Sequence, residues 1–140
     1  MAKITVLQLR TLNACKEQRH DFIRAFGREV EVTEETARDN AEHFDLEWAA
    51  FNLLDRSLRV EFSRASQRAW RQYDAEARPY REARIAAMES LGPGITDGQW
   101  KSAWDKYDDD VYPVYLKLKE TEALAFAKAY NDERNAERWP

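Results

Sequence analysis

The longest periodic pattern of hydrophobic positions in the chain lies at residues 57–91. Apolar side chains recur there every three or four residues, which at 100° per residue places them on one face of a helix. Four arginines fall nearly opposite, and the every-second-residue alternation of a strand is missing. The pattern predicts a helix about 50 Å long. Its apolar face consists of Leu58, Phe62, Ala65, Ala69, Tyr73, Tyr80, Ala83, Ala87 and Leu91.

Residues 97–130 show the same helical period, and the Gly92-Pro93-Gly94 sequence before them stops a helix. We expect the second helix to fold back along the first, because neither can bury its apolar face alone. The prediction is an all-α fold: a long antiparallel helical hairpin, coiled coil-like, with arms at residues 55–91 and 97–130. After Tyr130 the chain becomes polar and is expected to fray unless Trp139 docks. The apolar face of the second arm consists of Trp100, Trp104, Tyr107, Val111, Val114, Tyr115, Leu118, Ala125 and Ala129.

The two arms share a motif whose copies lie 34 residues apart. Two copies are too few for a solenoid, so the motif indicates a duplication within the hairpin. An eleven-residue spacing also recurs within the arms, which favours straight or slightly right-handed packing. The copies are Ala69-Trp70-x-x-Tyr73-Asp74-x4-Pro79 and Ala103-Trp104-x-x-Tyr107-Asp108-x4-Pro113.

Pro79 and Pro113 occupy the same position of the motif, inside the two helical patterns. A proline removes one backbone N–H and its ring clashes with the preceding turn, so it kinks or breaks a helix. Matched bends would leave the arms in register, and we favour them. The alternative is that each proline divides its helix and gives a more compact bundle.

Residues 1–54 predict a small N-terminal helical subdomain. No flexible linker follows it, so residues 1–140 are treated as a single domain. Thr5 has the capping-box spacing for a short helix at residues 6–12, with a strand at Ile4–Leu7 as the alternative. The remaining predicted elements are a helix from Cys15 to Phe26, an extended piece at residues 30–32 that is too short to found a sheet alone, and helices at residues 34–43 and 46–54 capped by Thr33 and Asp45.

Composition narrows the class of protein. A net charge of −4 and a pI near 5.3 argue against direct nucleic-acid binding. Cys15 is the single cysteine, so it cannot form an intramolecular disulfide, and a reducing cytoplasm fits. No apolar run has the length of a membrane span. We therefore expect a cytoplasmic protein without a membrane partner.

The motif and the sequence before it resemble a known group of proteins. Ala69-Trp70-Arg71-Gln72-Tyr73-Asp74 with Pro79, and the copy at 103–113, are similar to the tandem Ala-Trp-x-x-Tyr units, at eleven-residue spacing, of small uncharacterised phage and prophage proteins. Segments 12–26, 30–33 and 48–54 resemble the leader of those proteins, so the likeness covers most of the chain. The repeat is degenerate here, with two clear units. The resemblance implies a phage or prophage origin and no particular activity. A phage-encoded protein of this kind would be located in the cytoplasm of the bacterial host.

The sequence offers little for catalysis. Cys15 and His20 lie near Glu17 and Asp21, but their spacing does not direct several ligands to one point as a metal site requires. A Cys/His nucleophilic pair lacks a third member, and the four glycines stand in turn-like contexts rather than in a phosphate-binding loop. We predict no metal, no cofactor and no enzymatic activity.

Two charged surfaces are candidate sites for binding another protein. Each has an alternative interpretation as the solvated side of an amphipathic helix. The acidic patch could bind a basic surface or mimic nucleic-acid phosphates, and the arginines could bind an acidic partner. The acidic patch consists of Asp105, Asp108, Asp109 and Asp110, and the Arg face consists of Arg64, Arg68, Arg71 and Arg78.

Tyr112, Leu116 and Leu124 form a third candidate surface, because they lie off the apolar face of the second arm. Either the N-terminal subdomain covers them or they contact another molecule. The functional prediction is a non-enzymatic protein-interaction module, phage- or prophage-encoded, that binds a host protein and, for example, inhibits a defence complex. The alternative is a structural protein whose hairpins self-associate, as a homodimer, into a helical bundle.

Overall fold

The computed structural model describes residues 2–139 and confirms the all-α prediction of a long helical hairpin with a small N-terminal helical part. A 3₁₀ turn at Gly92–Gly94 connects the two arms, and two short strands lie near the N-terminus. The strands are β1 (Lys3–Thr5) and β2 (Glu29–Glu31). The α-helices are α1 (Val6–Thr11), α2 (Lys16–Phe26), α3 (Glu34–Asp39), α4 (Leu46–Leu53), α5 (Arg56–Ser90), α6 (Asp97–Tyr130) and α7 (Glu133–Ala136).

Helices α5 and α6 are the two arms, and each runs unbroken through its internal proline. The alternative in which Pro79 and Pro113 divide their helices is therefore wrong. Near the first proline, the Arg81 guanidinium donates from Nη2 to the carbonyl oxygen of Asp74 at 3.0 Å. In a regular helix the N–H of residue 79 would donate to the carbonyl oxygen of Ala75, and Pro79 has no N–H. The Arg81 side chain thus binds the backbone carbonyl next to the one that loses its donor.

The shared motif of the two arms has a local structural reason. Trp and Tyr three residues apart lie on one side of a helix, and in both copies their rings meet edge to face. The ring centroids of Trp70 and Tyr73 are 5.4 Å apart, and those of Trp104 and Tyr107 are 5.8 Å apart. Each copy of the motif thus forms an aromatic pair within its own helix.

The N-terminal segment forms both of the structures that the sequence left as alternatives. Residues 3–5 are a strand, and Thr5 then caps α1 by accepting a hydrogen bond from the Gln8 backbone N–H at 3.1 Å. Strand β1 pairs antiparallel with β2, with Ile4 opposite Val30. The extended piece at residues 30–32 is thus part of a two-stranded sheet, which the sequence interpretation missed. Helix α3 also ends earlier than predicted, at Asp39.

The hydrophobic core lies where the N-terminal elements pack against the proximal half of the hairpin, residues 56–77 and 111–130. Here α6 buries a second apolar side that the predicted face omitted, including Phe126 and Ala127. Core residues of α4 and α5, such as Leu53 and Leu58, belong to the same cluster. Because α6 is covered on two sides, its buried residues are not confined to one helical stripe.

The distal half of the hairpin, residues 78–110, has no buried residue. Several residues of the predicted apolar faces are exposed here, including Ala83 and Ala87. Leu91 and Trp100 of the same faces are exposed by 42% and 50%. The predicted apolar faces are therefore wrong at these positions, whereas Trp104 and Tyr107 of the predicted face are half-buried and contact Arg84 of the other arm. In this half α5 and α6 have no third element from residues 2–139 packed beside them. The small alanine side chains between the two helices therefore remain accessible to water.

The C-terminal segment docks on the fold through Trp139, which the sequence analysis gave as the alternative to fraying. Asp132 caps α7, and the Arg134 guanidinium beside it lowers the pKa of the Asp132 carboxyl to about 2. Arg134 also bridges to Glu61 of α5 at 2.9 Å. Asn135 is buried, and the Trp139 indole Nε1 donates to the Leu53 carbonyl oxygen at 2.8 Å.

Candidate protein-binding surfaces

The Arg face forms one outward stripe along α5. At 100° per residue its four arginines fall within one narrow sector, and the 14 residues from Arg64 to Arg78 correspond to about 21 Å of helix. All four are exposed, and none forms an ion pair within residues 2–139. Val60 and Ile85, near the ends of the stripe, are exposed by 47% and 48%. The surface combines unpaired cations with apolar side chains.

Other arginines of α5 have partners inside the molecule. Arg59 donates from Nε to the Leu54 carbonyl oxygen at 3.1 Å. The Arg84 guanidinium lies over the rings of Trp104 and Tyr107, 3.9 and 4.5 Å from their centroids. Arg59 and Arg84 thus stabilise the fold through contacts with other residues of the protein. The four side chains of the Arg face form no such contact in residues 2–139.

Half of the acidic patch is neutralised by lysines of its own helix. Asp105 pairs with Lys101 at 2.5 Å, and Asp110 pairs with Lys106 at 2.7 Å. Each carboxylate raises the pKa of its lysine. Asp108 and Asp109 are exposed and form no ion pair with residues 2–139. The negative potential of the patch therefore comes chiefly from these two side chains.

The third candidate surface lies along the border of the N-terminal subdomain, because α3 packs against α6. Tyr112 is exposed by 48%, and its hydroxyl donates to Glu42 Oε1 at 2.7 Å. This hydrogen bond raises the pKa of Tyr112. Leu116 and Leu124 are half-buried. The surface is thus partly occupied within the molecule, which weakens it as a binding site.

A basic cleft between α1 and α2 was missed by the sequence interpretation. Its cavity has a volume of about 370 Å³ and combines four basic side chains with the exposed Leu7 and Ile23. The Nε of Arg19 is buried and has no hydrogen-bond partner in the described part of the chain. The sequence gives only a weak indication of this cleft, because its basic residues belong to two helices, α1 and α2, whose packing the sequence does not specify. The basic residues are Arg10, Lys16, Arg19 and His20.

The residues considered for metal binding or catalysis do not converge in the described structure. Cys15 is exposed, and its Sγ accepts from the Gln18 backbone N–H at 3.5 Å as the cap of α2. Asp21 forms an ion pair with Arg24. Among residues 2–139, no group of three or more His, Cys, Asp and Glu side chains is arranged to hold a metal ion.

Comparison with known proteins adds no further information on these surfaces. No protein-family model, no curated protein and no solved structure matches the chain. Within residues 2–139, no helix combines the length and the apolar composition that crossing a bilayer requires.

Proposed function

We propose that the protein is a non-enzymatic interaction module that binds an acidic surface of another protein through the Arg face of α5. Following the sequence resemblance, the protein is phage- or prophage-encoded and its partner is a host protein in the cytoplasm. Binding would act by occupying the partner's surface, for example in a defence complex. The unbroken helix α5 keeps the arginines at a fixed spacing along one side.

The observation that supports this proposal most directly is the set of four exposed arginines without an acidic partner in residues 2–139. Like charges along one helix face repel each other and destabilise the helix slightly. An acidic surface would relieve this repulsion, and the planar guanidinium binds carboxylates with two parallel hydrogen bonds. Val60 and Ile85 add apolar area at the ends of the same stripe. Arginine is enriched at protein interfaces, and the buried centre of an interface is more apolar than its rim.

The test is capture of partners by tagged protein, comparing wild type with Arg68→Glu/Arg71→Glu. We expect wild type to retain a host protein with an acidic surface, the variant to lose it, and added salt to weaken the complex. The matched control is Arg28→Glu/Arg38→Glu, which makes the same change of charge at exposed positions of the N-terminal subdomain. Capture that persists in the Arg68→Glu/Arg71→Glu variant, or no capture by wild type, would contradict the proposal.

Self-association is the second candidate function, favoured by the presence of opposite charges on one molecule. The Arg face of one copy could pair with Asp108 and Asp109 of another. Sedimentation analysis tests this directly: a dimer should dissociate in Arg68→Glu/Arg71→Glu and in Asp108→Lys/Asp109→Lys. A mixture of these two variants should restore association, because the second variant's lysines would face the first variant's glutamates. A wild-type protein that stays monomeric at high concentration rules this function out.

A further inference from the structure

The N-terminal subdomain contains an apolar cavity of about 110 Å³, partly open at the surface, between α2, α3, α4 and the start of the chain. Phe126 of α6 contributes to its wall, so the cavity lies where the subdomain meets the hairpin. It is distinct from the Arg face and from the other surfaces described above. Nothing in the proposed function uses it.

The wall of the cavity is mainly hydrophobic and rich in aromatic rings. Phe22, Phe26 and Phe44 form a contiguous cluster, with ring centroids 5.2 Å apart for Phe22 and Phe26 and 5.5 Å apart for Phe26 and Phe44. Trp48 and several aliphatic side chains complete the lining. The polar lining residues are half-buried, as Gln18 is, or exposed, as Asp45 is. The interior is therefore apolar, and the polar groups lie toward the surface.

Such a cavity costs stability while it is empty, because the lining loses packing contacts. Water does not compensate for the loss, since it needs two to four polar partners that an apolar wall does not offer. A cavity of about 150 Å³ lined by Leu, Ile and Phe in another protein stays dry and takes up benzene. The cavity of this protein has a similarly apolar wall, is somewhat smaller, and is partly open at the surface.

We propose that this cavity is a binding site for a small monocyclic aromatic molecule. The ring fills the volume that the lining leaves empty, and its edges and faces pack against the surrounding aromatic side chains. Because Phe126 belongs to α6, an occupied cavity also strengthens the packing of the subdomain on the hairpin.

The first test uses benzene as the probe with the full-length protein. The thermal midpoint of unfolding should rise as benzene is added, because the ligand binds the folded state and not the unfolded chain. In NMR spectra, benzene should shift the methyl resonances of the lining residues Ile4, Leu46 and Leu53. The methyl resonances of Leu58 and Val111, which are buried outside the cavity, should not move.

The second test fills the cavity from within by Ala37→Leu, since Ala37 lines the cavity on α3. Benzene affinity should fall at least about tenfold, the loss of about 1.4 kcal/mol, and the midpoint without ligand should stay the same or rise. The control is Ala77→Leu, which adds the same atoms at a fully buried position of α5 outside the cavity. That variant should lower the midpoint by overpacking and still bind benzene. If Ala77→Leu does not fold, Ala87→Leu, at an exposed position, provides the control for benzene affinity.

The proposal is overturned if benzene neither raises the midpoint nor shifts the lining methyl groups. It is also overturned if the shifts appear at residues outside the cavity, or if Ala37→Leu binds benzene as wild type does. Should Ala37→Leu fail to fold, Ala49→Leu fills the same cavity from α4, and the same criteria apply to it.

Discussion

At the scale of single residues, Glu122 is the least expected feature. It is 2% exposed between the two arms in the proximal half of the hairpin, although the sequence gives no sign that this acid differs from others on α6. Its Oε2 accepts a hydrogen bond from Ser66 Oγ at 2.6 Å, and Lys119 Nζ lies 3.9 Å from Oε1. A buried carboxylate needs such partners, because it has lost its contacts with water. Ser66 and Glu122 thus fix the position of one arm against the other.

Replacing Ser66 by alanine should destabilise the protein. Ser66→Ala leaves Glu122 without its donor, and an unsatisfied buried acceptor costs about 1–3 kcal/mol of the free energy of unfolding, measured by urea denaturation. The control Ser63→Ala changes an exposed serine of the same helix and should alter stability by less than about 0.5 kcal/mol.

The double variant Ser66→Ala/Glu122→Met should be more stable than Ser66→Ala alone, because an apolar pair has no lost hydrogen bond to replace. The single variant Glu122→Met is measured as well. If the changes in the free energy of unfolding of the two single variants add up to that of the double variant, the hydrogen bond between Ser66 and Glu122 does not stabilise the protein.

At the scale of elements, the two arms tolerate a residue that normally interrupts helices. α5 continues for eleven residues after Pro79, to Ser90, and α6 continues from Pro113 to Tyr130. Both prolines are exposed, so their rings displace no core side chain. The packing of the arms on each other, rather than local preference, keeps the backbone helical at these points.

Pro79→Ala should therefore stabilise the protein by about 1–3 kcal/mol, since alanine restores the missing N–H and removes the clash with the preceding turn. The measurement is urea denaturation followed by circular dichroism. Pro93→Ala, in the turn between the arms, is the matched control and should not stabilise, because proline there restricts the unfolded chain without breaking a helix. A loss of stability in Pro79→Ala would mean that a proline-induced bend is required for the arms to fit.

At the scale of the whole molecule, stability is distributed unevenly along the hairpin. The proximal half shares the hydrophobic core with the N-terminal elements, whereas none of residues 78–110 is buried. The Arg84 guanidinium joins the two arms within this half by lying over the rings of Trp104 and Tyr107. The distal half should open without global unfolding, as weakly packed segments do.

Arg84→Ala should accelerate amide hydrogen exchange in residues 80–107, because removing a cation–π contact costs about 1–2 kcal/mol, equal to a change of about 5- to 30-fold in the local opening equilibrium. Exchange of the proximal core, for example at Leu58 and Phe126, should not change. Arg78→Ala, which removes an outward arginine of the same helix, is the control and should change exchange by less than about twofold. Equal acceleration in both halves would show that the hairpin opens as one unit.

Much of the secondary structure could be predicted, because its causes are local. The three- and four-residue spacing gave both long helices, and Thr33 and Asp45 accept the backbone hydrogen bonds expected of helix caps. Of the candidate binding residues, the Arg face is exposed as predicted, and Leu116 proved half-buried. Whether any of these residues binds a partner stays a prediction.

The sequence by itself determined that the two arms are long helices and which side of α5 carries charge, since these depend on residues within a few positions of each other. Only the tertiary structure decided which apolar positions are buried. Ser66 and Glu122 are 56 residues apart, and β1 meets β2 across more than twenty residues. Such contacts depend on how separate elements pack, and a one-dimensional pattern does not contain that information. For the same reason the cavity, whose wall includes Ile4 and Phe126, exists only in the folded molecule.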